Sequence, residues 1–414
     1  MRNYINYLIA ILLIAAFTLP SCEDKEPVQR ETPKITLNLK SEEIIRADQA
    51  FGYELFREVY NLSEEENIMI SPLSVSYALG MTYNGAAGTT LQAFNDVLHF
   101  GDLTTQEVNE SYKDLMDQLL HLDDKVQLSL ANSIWYRLGF QALPEFINTN
   151  KNYFDAEVRE IDFSDPQTVE IINQWIEDKT NDKIKDMLDF VPPDAVMYLI
   201  NAVYFKAVWK YEFDKEETYE GDFNLEGGTK HKADFMRVTG DFQYTANEDF
   251  SAVELPYGDS TFSMVIMLPA PGKRGSDIVA SMNTENRNSW FANSSYTGVQ
   301  VDLPKFKFEF KKLLNDPLTN LGLGVAFSDA ADFTRIRTEG GLQISRVIHQ
   351  SFIDVQEEGT EAAAATIVEI VETSGGGGGD PVYFKADRPF LFLIKENSTG
   401  AVLFIGKVGK PEYQ

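Results

Sequence analysis

The sequence predicts an α+β fold with large antiparallel sheets. Three observations carry this. Helical spacing and helix-start residues crowd its first part, apolar runs split by turn residues fill the second half, and two strongly apolar runs lie close to the end.

With 414 residues, 43% hydrophobic and 12% aromatic, the composition is that of a globular chain with a large core rather than a disordered one. The 64 acidic and 36 basic residues leave a formal charge of −28, which argues against nucleic acid and anionic membrane surfaces as partners.

Residues 1–21 read as a secretion signal. Arg2 precedes an apolar run from Leu8 to Leu19 that is too short for a convincing membrane span, and small or turn-forming residues follow. The LPSC that ends at Cys22 resembles the lipobox of bacterial lipoproteins, in which the cysteine becomes the acylated first residue of the mature chain. Residues 22–40 read as a polar tether, and 41–414 as the folded domain. Cys22 is the only cysteine, so intrachain disulfides are excluded. The chain is expected to be exported and lipid-anchored in a bacterial cell envelope, periplasmic or surface-exposed, or else extracellular.

Within the domain, Ile44, Phe51, Leu55 and Val59 recur at near-helical spacing in Ser41 to Tyr60, which predicts an amphipathic helix. Ser71 with Pro72 reads as a helix start, and Thr89 with Gln92 as a capping box. Later, YGDS separates two strand-like runs, Ala252 to Pro256 and Thr261 to Leu268, and PFLFLIKENSTGAVLFIGKV reads as two apolar strands around a turn.

Motifs for catalysis are missing. The four histidines, His99, His121, His231 and His349, are followed by Phe, Leu, Lys and Gln, so no HExxH zinc motif exists. A single cysteine excludes CxxC, no serine sits in GxSxG, and there is no GxxxxGK[ST]. No enzyme active site, cofactor or metal is expected. His349, flanked by apolar residues at strand spacing, reads as a hydrogen-bonded core histidine in preference to a ligand.

The stretch Glu357 to Asp380, EEGTEAAAATIVEIVETSGGGGGD, mixes helix-favouring AAAA, strand-favouring TIVEIV and a glycine run, so propensity assigns it no single conformation. Laid out as a strand, it puts Thr360, Ala362, Ala364, Thr366, Val368 and Ile370 on one face without a charge, with Glu361 and Glu369 on the other. Such a face suits a strand over a core, although chance alone produces the pattern fairly often. Gly359 lets the backbone bend, and small alanines cost little to move. The segment is fit to be loop in one state and strand in another.

EEGTEAAAAT resembles the hinge of the reactive-centre loop of inhibitory serpins. NIMISPLSVSYALGMTYNGAAGTT, NAVYFKAVWKYEF, VELPYGDSTFSMVIMLP, LPKFKFEF, GVAFSDAADFTRI and DRPFLFLIKENSTGAVLFIGKV are similar to that family in the same order, from about Ser41 to Pro411. The resemblance implies three β-sheets surrounded by about eight or nine helices, and an exposed reactive-centre loop at about 357–385. It further implies an irreversible suicide-substrate inhibitor of serine endopeptidases, with cysteine proteases as an additional target class. A protease attacks the loop and forms an acyl-enzyme, and the loop inserts as a new strand before hydrolysis ends, leaving a covalent 1:1 complex. A monomer is expected. The alternative is a non-inhibitory serpin acting as a binding or carrier protein.

By matching motifs, the hinge is Glu357, Glu358, Gly359, Thr360, Glu361, Ala362, Ala363, Ala364 and Ala365. Ser71, Ser74, Asn201 and His349 resemble the shutter, where the sheet parts, and Trp209, Lys305 and Glu357 the breach, where insertion begins. In the family the scissile bond usually follows the sixteenth residue after the hinge glutamate, so the resemblance implies a bond between Thr373 and Ser374. The interval from Ser374 to Pro389 is longer than the family's usual one and holds GGGGG, which leaves Ile370, Val371 and Glu372 as alternatives. Val371 or Thr373 suits elastase-like or subtilisin-like pockets, and no Lys or Arg between Glu357 and Asp380 attracts a trypsin-like enzyme.

Overall fold

The computed structural model describes residues 32–37, 39–192, 195–360 and 381–413. Cys22 and residues 1–21, Glu361 to Ala365 of the hinge, and all the candidate scissile positions from Ile370 to Ser374 lie outside the described residues.

Nine α-helices are found among the described residues: α1 (Leu39–Asn61), α2 (Pro72–Tyr83), α3 (Gly88–Val97), α4 (Thr105–Leu119), α5 (Pro144–Phe154), α6 (Thr168–Lys179), α7 (Gly275–Ser281), α8 (Thr284–Phe291) and α9 (Asn315–Leu321). Strands β1 to β8 are Asn67–Ile70, Val126–Arg137, Glu157–Ile161, Met197–Val208, Tyr219–Asn224, Lys230–Ala246, Phe250–Tyr257 and Phe262–Pro269. Strands β9 to β15 are Ser295–Pro304, Phe306–Leu313, Ile348–Gln356, Gly359–Thr360, Val382–Lys385, Phe390–Glu396 and Val402–Val408. The α+β expectation holds.

Each expected helix forms where periodicity placed it. On α1, Ile44, Phe51, Leu55 and Val59 are fully buried, each contributing about 1.5–3 kcal/mol. Ser71 caps α2, its side chain accepting from Ser74 N–H, with Pro72 in the first turn. The Thr89 capping box does not form: α3 starts at Gly88 after Ala87, with no side-chain cap. Tertiary contacts set that start instead, since Ala87 N–H donates to Asp332 O at 2.8 Å and Asp332 N–H to Thr90 Oγ1 at 2.8 Å.

Hydrogen bonding joins the strands into two sheets rather than three among the described residues. The larger has the order β1-β15-β14-β8-β7-β6-β9-β13, with β5 also paired to β6. The reason is the length of β6: it pairs β5 over Lys230 to Phe235, β7 over Gln243 to Ala246 and β9 over Phe235 to Tyr244, so two regions share one ladder. Every residue of β8 is buried, which explains why its sequence is apolar on both faces apart from Ser263 instead of alternating. The smaller sheet has the order β10-β11-β12-β4-β2-β3, and α2 lies against β4 behind it.

Candidate functional site

The site is the centre of the smaller sheet. The chain leaves β11, reverses through a turn at Glu357 and Glu358, and returns as β12, two residues long. Antiparallel pairing then holds β12 on both sides, Gly359 and Thr360 facing Gln356 and Val355 of β11 on one flank and Val208 and Ala207 of β4 on the other. Below these rungs no ladder joins β4 to β11 among the described residues. Between their lower halves and α2 lies a cavity of about 350 Å³ whose walls include Ser74, Leu79, Met197, Asn201, Ile348 and His349.

Gly359 is where it is because of close approach. A Cβ there would stand 2.1 Å from Ala207 O and 2.8 Å from Val208 Cα, so any side chain would force β12 out of the sheet. Thr360 follows, 3% exposed, with its hydroxyl 2.5 Å from that of Tyr257.

The breach residues meet around this point. Trp209 stacks on Tyr257 at 4.3 Å between ring centroids, and its indole N–H donates to Gln356 O at 2.9 Å. Its backbone N–H donates to Glu358 O at 2.9 Å, while Phe213 N–H donates to Glu357 O at 3.0 Å. Lys305 Nζ lies 3.0 Å from Glu357 Oε2 and 4.2 Å from the centre of the Tyr413 ring. Thr218 Oγ1 donates to Glu357 Oε1 at 2.8 Å, and Lys215 pairs with Glu358. Burial pushes the Glu357 carboxyl up, but a backbone hydrogen bond, Lys305 and Thr218 together hold it below the usual range. The turn is thus pinned by a charged, hydrogen-bonded carboxylate, not a neutral one.

The shutter residues also come together. Ser71 N–H donates to His349 Nε2 at 3.2 Å, and Ser74 Oγ donates to Asn201 Oδ1. Asn201 Nδ2 donates in turn to Asn132 Oδ1 at 2.7 Å, and Asn132 Nδ2 to Phe154 O at 2.6 Å. Burial alone pushes His349 down to about 4, so its imidazole is neutral and can accept the Ser71 proton. The reading of His349 as a hydrogen-bonded core histidine holds.

The residues expected at the shutter and breach therefore gather in two clusters, one between α2 and the smaller sheet and one at the turn into β12, beside Glu357, Glu358, Gly359 and Thr360. Sequence reasoning missed Asn132, Tyr257, Thr218, Tyr413 and Lys215. Asn132 carried a signal: it interrupts the face of β2 that otherwise holds Leu128, Leu130 and Ile134.

The family model for Serpin (serine protease inhibitor) matches residues 46–411. A serpin-like protein of Methanosarcina acetivorans is 34% identical over 415 residues, covering 95% of each chain. Among solved structures, Tengpin, a thermophilic serpin in the native state, is 34% identical with a TM-score of 0.81, over 91% of this chain and 96% of its own. Human thyroxine-binding globulin, solved with its hormone, is 26% identical with a TM-score of 0.82, over 90% of this chain and 100% of its own.

Proposed function

Because the chain belongs to the serpin family, most of whose members are inhibitors rather than catalysts, we propose that it is an irreversible suicide-substrate inhibitor of serine endopeptidases with elastase-like or subtilisin-like pockets, and of cysteine proteases of similar preference. The observation that carries this reading is β12: the first two residues of the strand-ready stretch already lie between β4 and β11, above an interval that holds no further strand among the described residues.

Continuing the two ladders in the same register gives the inserted state its side-chain positions. Ala362 falls between Phe205 and Ile353, Ala364 between Val203 and Ser351, and Thr366 between Asn201 and His349. The small residues thus pass first and a hydroxyl meets the shutter. Ten further residues, Glu361 to Ile370, would each add backbone hydrogen bonds worth about 0.5–1.5 kcal/mol net. With apolar burial the gain exceeds roughly 10 kcal/mol, as much as holds an ordinary domain together. An uncut native form would then be kinetically trapped.

Incubation with elastase-like, subtilisin-like, trypsin-like and cysteine proteases tests this. A covalent 1:1 complex that survives denaturing electrophoresis is expected with the elastase-like and subtilisin-like enzymes and with cysteine proteases but not with the trypsin-like one, together with a released peptide beginning at Ser374. Cleavage without any complex would instead favour a binding or carrier protein, the reading to which the likeness to thyroxine-binding globulin lends support. Against that second reading, the inward hinge positions Thr360, Ala362 and Ala364 are small and uncharged.

The same proposal has the chain exported and held in the cell envelope by an acyl group on Cys22, the only cysteine. Cys22→Ala is then expected to move the protein from the membrane to the soluble fraction. An unchanged membrane fraction would overturn the anchor and leave the inhibitor reading untouched.

A further inference from the structure

Helix α2 touches two buried titratable side chains on opposite sides. Ser74 faces the sheet, whereas Ser76, two positions and about 200° further round the helix, faces Asp48 of α1. Asp48 is 8% exposed, and its Oδ1 accepts from Tyr112 Oη of α4 at 2.9 Å while Oδ2 has no hydrogen-bond partner. The contacts from Tyr112 and Ser76 favour the carboxylate, but burial, with Oδ2 left without a partner, outweighs them and favours the protonated carboxyl.

The other groups near Asp48 are neutral: Tyr112 from α4, and beyond it Tyr77 of α2, packed edge-on against the Tyr112 ring. Among the described residues no cation pairs with Asp48. On the far side, His349 faces Ser71 and Ser74 of α2 and Asn201 of β4. Across the strand stands Lys312 of β10, whose ammonium turns away to Leu62 O at 3.0 Å and Glu65 at 3.8 Å. Arg346, upstream on the same chain segment, lies 3.9 Å from Asp189.

We propose that Asp48 and His349 act on α2 as a balanced pair whose proton dependences oppose, so that the seating of α2 behind the sheet is nearly independent of pH through the mildly acidic range, and that loss of either leaves a one-way pH sensor. Burial pushes Asp48 up to about 7 from the ordinary 3.8, so the stability its proton supplies is complete below pH 3.8 and is lost as pH rises to about 7. Burial pushes His349 down to about 4 from 6.5, so its contribution is complete above pH 6.5 and is lost as pH falls through about 4. Between those limits unfolding releases one proton and takes up another.

Equilibrium urea unfolding of the parent, Asp48→Asn, His349→Gln and the double variant between pH 4 and pH 6.5 tests the pair. Relative to the parent, the unfolding constant of Asp48→Asn should fall up to about tenfold per pH unit as pH rises, and that of His349→Gln should rise by a similar factor. The double variant should run parallel to the parent. Should His349→Gln fail to fold, the carboxyl stretch in infrared spectra decides: a protonated-acid band at pH 6 in the parent that Asp48→Asn removes supports the pair. Absence of that band in the parent, or an Asp48→Asn profile parallel to the parent's, overturns it. Neither measurement depends on loop insertion, so failure here leaves the inhibitor reading standing.

Discussion

Thr360→Arg is expected to turn the proposed inhibitor into a substrate. Thr360 is 3% exposed between Ala207 and Val355, with its hydroxyl against Tyr257. The neighbours described there, Ala207, Val355 and Tyr257, offer a guanidinium no charge partner, and burying it unpaired costs several kcal/mol. Insertion competes with deacylation, so a barrier raised by about 1.4 kcal/mol slows it tenfold. The number of inhibitor molecules consumed per protease inactivated should therefore rise at least about tenfold, with the same bond cut. Thr360→Ser, which keeps a small hydroxyl, should behave like the parent. An unchanged ratio in Thr360→Arg would mean that any inhibition works by simple blockade.

Nicking the loop at its scissile bond should raise the thermal midpoint. An ordinary loop gives equal or lower stability when cut, but under the proposed mechanism the cut would free one end of a segment whose insertion is worth more than roughly 10 kcal/mol. A gain on the order of 20 °C is expected, at a few degrees or less per kcal/mol for a chain this long. Scanning calorimetry before and after complete cleavage measures it directly. Equal midpoints would favour the carrier reading over the inhibitor.

Periodicity made much of this architecture readable. The spacing of Ile44, Phe51, Leu55 and Val59 revealed α1 because a helix buries one stripe, and the runs flanking YGDS revealed β7 and β8 because turn residues punctuate strands. What periodicity cannot supply is a partner far away in sequence. The start of α3 was misread because Asp332 sets it, and Thr218 and Tyr413 went unnoticed because nothing local marks a hydroxyl or a ring that meets Glu357 or Lys305 only after folding. The joining of strands into one larger ladder was not legible for a related cause: the length of β6 decides it, and strand ends are poorly marked in sequence. At the candidate site, family motifs, not any property of the isolated side chains, picked out the residues that cluster there. Asn132 is the exception, since a polar residue on an apolar strand face calls for a buried partner, and Asn201 supplies it.

The two-residue β12 has a consequence for kinetics. Strand addition usually starts with a costly search, because the first rungs order several backbone angles and close a loop before they gain much. If the loop inserts as proposed, the Glu357–Glu358 turn and the paired Gly359 and Thr360 supply that nucleus, formed before any protease arrives. Growth of the strand is then propagation from a fixed end, and its rate is governed by how readily β4 and β11 separate rather than by how the loop finds them. Sequence changes beyond the hinge, including the length of the glycine run, are free to alter which protease is captured while leaving the nucleus in place.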